Sequence, residues 1–126
     1  LALLARELKV ENEVKFLGFL QNGELPPYLV EADLFLSTLS GASLREAAIC
    51  GLPIIAYNID WIRGYGTHKH NIYSVETVDY VKYAEGIMEL LNDVELRRTL
   101  SVNIKNFAET VWVPKNISSS LQKVFG

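Results

Sequence analysis

The stretch Asp33-Leu34-Phe35-Leu36-Ser37-Thr38-Leu39-Ser40-Gly41-Ala42-Ser43-Leu44-Arg45-Glu46-Ala47-Ala48-Ile49-Cys50-Gly51-Leu52-Pro53-Ile54-Ile55-Ala56-Tyr57 decides the fold. Residues 34–37 are an apolar run too short for a helix and typical of a strand covered on both faces. A loop of small residues, 38–42, leads into a helical segment, 43–50, that Gly51 ends, and 53–57 is a second buried strand. Strand, helix and strand in this order imply a parallel sheet.

The same alternation extends in both directions. Leu1, Leu4, Ala5 and Leu8 have helical spacing, so 1–8 reads as the end of a helix, and Val14, Phe16 and Leu17 predict a strand over 14–18 closed by Gly18 and a Gln21-Asn22-Gly23 turn. Residues 24–32 form a helix that tolerates Pro26 and Pro27 in its first turn. Beyond Tyr57, residues 58–71 read as a loop, 72–74 as a brief strand, 78–91 and 94–111 as helices, the latter behind the N-cap Asp93, and 114–125 as a last helix. The fold class is therefore α/β, a Rossmann-like parallel sheet with helices on both faces. No repeat or low-complexity tract divides the chain, and residues 1–126 are read as a single domain. Such folds bind ligands at the carboxyl ends of their strands, which singles out the loops 18–22, 38–43 and 58–71.

Composition excludes several classes. With 126 residues, 49% hydrophobic and 21% charged, the chain has the material for a packed core and is not a disordered tail. Twelve basic and fifteen acidic side chains leave a net charge of -3, which gives no electrostatic footprint for nucleic acid. The single cysteine, Cys50, cannot build a disulfide framework or a cysteine-rich metal site, and a cytoplasmic setting is expected. No apolar run approaches the ~20 residues of a membrane-spanning helix and no leader is visible, so any membrane contact is peripheral and made through the intact protein. The chain starts at Leu1 and its one methionine is Met88, so it is expected to be a piece of a longer polypeptide.

The chemistry concentrates between Ser40 and Pro53. Small residues before a helix start let an anion approach backbone N–H groups that have no intrahelical partner, and the helix dipole favours its charge. Glu46 has two readings. With Ser43 it forms a capping box, reaching back to the Ser43 N–H; alternatively its carboxylate accepts hydrogen bonds from the two ribose hydroxyls of a nucleotide whose diphosphate sits on the helix end. His68 and His70 read as exposed loop histidines with no metal, and Trp61 as a partly buried loop residue or a sugar-stacking ring. Cys50 reads as a small buried side chain. The stripes Tyr80, Tyr83, Ile87, Leu90, Leu91 and Leu96, Leu100, Ile104, Phe107 read as core.

Four blocks, Val14 to Leu20, Glu24 to Tyr28, Glu31 to Ser37 and Leu44 to Ala56, together resemble the C-terminal, donor-binding domain of the retaining GT-B glycosyltransferases of family 4, the glycosyl transferases group 1 type. The resemblance continues through Leu90 to Arg97 and Trp112 to Phe125. It implies a partial GT-B domain that binds a nucleoside-diphosphate sugar for transfer of a hexose in glycan or polysaccharide synthesis. Glu46 then holds the donor ribose, Gly41, Ala42 and Ser43 lie near the diphosphate or sugar, and Gly18 and Phe19 border the base. The donor is a substrate; no separate cofactor is implied, and the catalytic group is not identified. The acceptor site would belong to an N-terminal domain of the same polypeptide, and this piece alone is expected to be inactive. Two departures stand out. The family has a second glutamate eight positions before the ribose-binding one, where this chain has Thr38, and its basic Arg/Lys pair would precede Leu1. The resemblance leaves two rivals, a sugar-nucleotide epimerase of GT-B architecture and a non-catalytic, degenerate module.

Overall fold

The computed structural model describes residues 1–21, 23–38, 42–59, 62–76 and 78–112. Nine regular elements follow in order among them: α1 (Ala2–Glu7), α2 (Pro26–Glu31), β1 (Phe35–Ser37), α3 (Ala42–Ile49), β2 (Ile54–Tyr57), α4 (Ile62–Tyr65), β3 (Tyr73–Val75), α5 (Tyr80–Asn92) and α6 (Val94–Phe107). A π-helical turn, Ala108–Trp112, continues α6.

The sheet is parallel, in the order β1-β2-β3, with Phe35 opposite Ile54 and Ile55 opposite Tyr73. All four residues of the central strand β2 are buried, and they feed two separate clusters. Ile54 and Ala56 join Leu44, Ala47 and Ala48 of α3, with Leu29 of α2 and Ile104 of α6. Ile55 and Tyr57 join Tyr83 and Leu90 of α5 and Leu100 of α6. Alternation along a strand sends neighbouring side chains to opposite faces, so helices cover both faces, as the apolar runs required.

Capping chemistry fixes the helix ends. Asp79 accepts from the N–H groups of Val81 and Lys82 at the start of α5, and Asp93 accepts from Leu96 N at 3.0 Å at the start of α6. At the end of α3, Gly51 has φ +74, Gly51 N donates to Ala48 O and Leu52 N to Ala47 O, the paired closure of a Schellman motif. The end of α1 closes the same way, Lys9 N to Arg6 O and Val10 N to Ala5 O, with Lys9 at φ 60 in place of a glycine. Gly86 serves a different need. A Cβ there would come within 2.5 Å of the Tyr73 ring and 2.8 Å of Ile55, so α5 lies directly against the sheet.

The structure corrects the sequence reading at several points. Residues 14–18 are not a strand: they are irregular and exposed, Phe16 at 54%, and Gly18 sits at φ +70. A strand needs a neighbour to take its ladder bonds, and among the described residues the sheet is made by β1, β2 and β3, with 14–18 paired to none of them. Within the stretch expected to be loop, α4 forms one short turn of helix over buried Ile62. The brief strand expected over 72–74 lies one residue later. The loop positions Asn22, Leu39 to Gly41, Asp60 and Trp61, and the expected helix 114–125, lie outside the described residues.

Replacing Gly51 by Ala forces a Cβ into a left-handed backbone, at roughly 1–2 kcal/mol, and within 3.4 Å of Lys105 and Ser101. Thermal denaturation is expected to show a Tm several degrees lower for Gly51→Ala, whereas Gly64→Ala, in open space on α4, leaves Tm unchanged or higher.

Candidate functional site

Because β1 and β2 run parallel, their carboxyl ends share one edge of the sheet, where Thr38 and Asn58 follow. Helix α3 turns its Leu44, Ala47 and Ala48 inward and leaves Ala42 and Ser43 exposed at its start. The first N–H groups of a helix have no intrahelical acceptor, so this exposed start favours an anion. The helix already includes Ala42, which makes Ser43 a first-turn residue. It is therefore not the N-cap, since a cap precedes the first helical residue with non-helical backbone, and the capping-box reading of Ser43 and Glu46 is corrected accordingly.

Glu46 is half-buried. Burial first, and the Glu46 charge second, push the Cys50 thiol up, with Lys105 opposing. Cys50 is thus a half-buried thiol held protonated, not an activated nucleophile. Arg45 has its guanidinium carbon 5.8 Å from the centre of the Trp112 ring. Trp112 in turn meets Phe107 edge-on at 5.1 Å, so the residue beside Glu46 is turned toward an aromatic group behind the helix.

At the end of β2 the structure reveals a brace that the loop reading of 58–71 missed. Asn58 N donates to Val75 O at 2.9 Å, Asn58 Nδ2 to Glu76 Oε1 at 2.8 Å, and Arg63 Nε to Asn58 O at 2.8 Å. The ends of β2 and β3 are tied together, with Arg63 on top. A second tie comes from Tyr83, read from sequence only as a core stripe residue. Its buried hydroxyl lies 3.0 Å from Ser37 O and 2.8 Å from Ile55 O, sharing one proton between the last residue of β1 and the middle of β2. Burial and the neighbouring Tyr57 ring, 4.8 Å away, raise its pKa far above the usual phenol range, so it stays a donor. The signal was there: a tyrosine buried on a core stripe needs a partner for its O–H.

The remaining site residues divide. Ala42, Ser43 and Glu46 share α3, and Gly41 lies outside the described residues. Gly18 and Phe19 belong to the irregular exposed stretch, where Phe19 is 92% exposed and touches little of the chain. His68 and His70 have separate tasks: His68 Nδ1 accepts from Ser74 N at 3.1 Å, and His70 O accepts from Asn103 Nδ2 at 2.8 Å. Among the described residues no group of three or more His, Cys, Asp or Glu side chains converges on a metal position. No helix among them is long and apolar enough to cross a membrane.

The family model of glycosyl transferases group 1 matches residues 1–107. The chain belongs to the group 1 glycosyl transferases. Among curated relatives of this family, an N-acetyl-alpha-D-glucosaminyl L-malate synthase from Bacillus anthracis is 27% identical over 126 residues, covering 97% of this chain and 32% of the relative. The chain thus spans about a third of the length of the curated relative it matches. Among solved structures, sucrose-phosphate synthase from Thermosynechococcus elongatus superposes with a TM-score of 0.80 at 21% identity over 97% of this chain and 32% of that one. Anabaena HepE in complex with UDP-glucose superposes with a TM-score of 0.78 at 24% identity, over 94% of this chain and 35% of that one. These likenesses show the fold, a parallel α/β sheet of the GT-B glycosyltransferase type.

His68 supplies a pH test of the loop that closes this group 1 transferase sheet. Its pKa is lowered, first by partial burial against Tyr73, 4.6 Å away edge-on, then by Lys69, with Glu89 and Glu76 opposing. A lowered folded pKa favours the neutral ring, so its stabilisation is full above the unfolded value near pH 6.5 and is lost as pH falls through the folded value. Protonated Nδ1 no longer accepts from Ser74 N. The stability gap between wild type and His68→Gln, measured by urea unfolding, is expected to narrow from about pH 8 to about pH 5; a gap constant across that range contradicts the assignment.

Proposed function

We propose that the chain supplies the donor-binding part of an enzyme that transfers a hexose from a nucleoside-diphosphate sugar to an acceptor in glycan or polysaccharide synthesis. The observation that carries this is α3, whose exposed start follows the end of β1 and whose half-buried Glu46 stands in the turn behind it. In this arrangement the diphosphate oxygens accept hydrogen bonds from backbone N–H groups at Gly41, Ala42 and Ser43. The dipole of α3 offsets part of the diphosphate charge as the nucleotide leaves, the form of stabilisation that glycosyl transfer requires. The two oxygens of the Glu46 carboxylate match the two ribose hydroxyls, and Gly18 and Phe19 border the base.

The HepE structures holding UDP-glucose and UDP support a nucleotide-sugar donor for a chain of this fold. The donor is consumed as substrate, with no further cofactor. A second, N-terminal domain of the same polypeptide holds the acceptor. The setting is cytoplasmic, with peripheral membrane contact through the intact protein where the acceptor is lipid-linked. Thr38 favours one other reading, a non-catalytic module, because it stands where the family has its upstream glutamate.

Charge-assisted hydrogen bonds contribute about 1.5–3 kcal/mol, so Glu46→Ala in the intact protein is expected to raise the donor KM by roughly tenfold to a hundredfold. Donor kinetics that do not change overturn the ribose assignment. Release of free nucleoside diphosphate with each sugar transferred separates this activity from epimerisation, which keeps the nucleotide attached, and an intact protein that binds no nucleotide identifies the non-catalytic module.

A further inference from the structure

The donor-binding assignment of α3 places a diphosphate at a helix start, and Arg45, the neighbour of Glu46, is turned to Trp112. Arg63 is a cation that the fold brings to the same edge, on the carbonyl that follows β2. It follows Ile62, whose side chain shares one apolar cluster with Leu44 from the first turn of α3 and lines the same small cavity. The starts of α3 and α4 are thereby anchored at adjoining points beyond two neighbouring strands. Arg63 is exposed, and its Nε is committed to the carbonyl of Asn58, the first residue after β2. That carbonyl is in turn immobilised, because Asn58 is tied to Val75 O and to Glu76.

A guanidinium with Nε fixed presents its remaining N–H groups in a planar fork, the geometry that suits two oxygens of a phosphate. Fixing it on the backbone also lowers the entropy lost on binding. We propose that Arg63 is a substrate-binding residue of this site, its terminal N–H groups contacting the diphosphate of a donor seated on α3. Its role rests on the donor-binding assignment of α3 and extends it from a helix start to a bidentate cation carried by the next strand's loop. Arg63 selects for the charged part of the ligand and is indifferent to the nucleoside.

Calorimetric titrations of the intact protein with UDP and with uridine test this, using wild type, Arg63→Gln and Arg63→Lys. Arg63→Gln is expected to weaken UDP about tenfold, to leave uridine within about twofold, and to flatten the salt dependence of UDP binding; Arg63→Lys keeps the salt dependence and recovers part of the affinity. Equal weakening of UDP and uridine means that Arg63 only braces the loop, and unchanged UDP affinity means that it faces away; either result overturns the proposal. Wild-type protein that binds neither UDP nor uridine overturns the donor assignment itself, and Arg63's role with it.

Discussion

Everything in this fold depends on burying β2 from both sides. Its four residues alternate between two apolar clusters, Ile54 and Ala56 toward α3, Ile55 and Tyr57 toward α5. A strand buried on both faces cannot end in the core, because its last backbone groups need partners. It runs out to an edge with its parallel neighbours, and the chain must return over each face as a helix. The strand ends, the start of α3 and the loop after β2 therefore gather at one edge. That layering puts the start of α3, after β1, and the carbonyl of Asn58 that holds Arg63, after β2, at the same edge.

The edge is stiffened from beneath. Tyr83 ties α5 to the carbonyls of Ser37 and Ile55, and the Asn58 brace ties β2 to Glu76. A carbonyl held by a buried donor cannot drift, so the chain leaves the sheet from fixed points. Preorganisation of this kind is what an anion site made of backbone dipoles needs, since dipoles that must turn at the moment of binding contribute less. Glu46 gains similarly: half-buried, its carboxylate is on a helix whose other face is locked into the core through Leu44, Ala47 and Ala48.

Features set by local chemistry were legible in the sequence. The apolar runs 34–37 and 53–57, Gly51 after a helix, and Asp93 before one each have a short-range cause, and each appears in the structure within a residue or so. Features set by distant partners were not. Residues 14–18 carry a strand's composition, but composition supplies no neighbour. Lys9 ends α1 in a conformation glycine usually takes, which only the two closing hydrogen bonds reveal. Ile62 turns a loop into α4 by finding the α3 cluster. Of the candidate site, Glu46 and the helix start were proposed from spacing and resemblance, whereas the proposal for Arg63 arises only once its Nε is seen on Asn58 O.

The central claim is that the start of α3 is a nucleotide-diphosphate site, and an NMR titration of this chain with UDP, GDP and ADP tests it most directly. Saturable shifts confined to the amides of Ala42 to Glu46 and of the loop around Asn58, with one base preferred, are predicted. Amide signals in α3 that do not move at millimolar nucleotide, in a chain whose spectrum is folded, would contradict it.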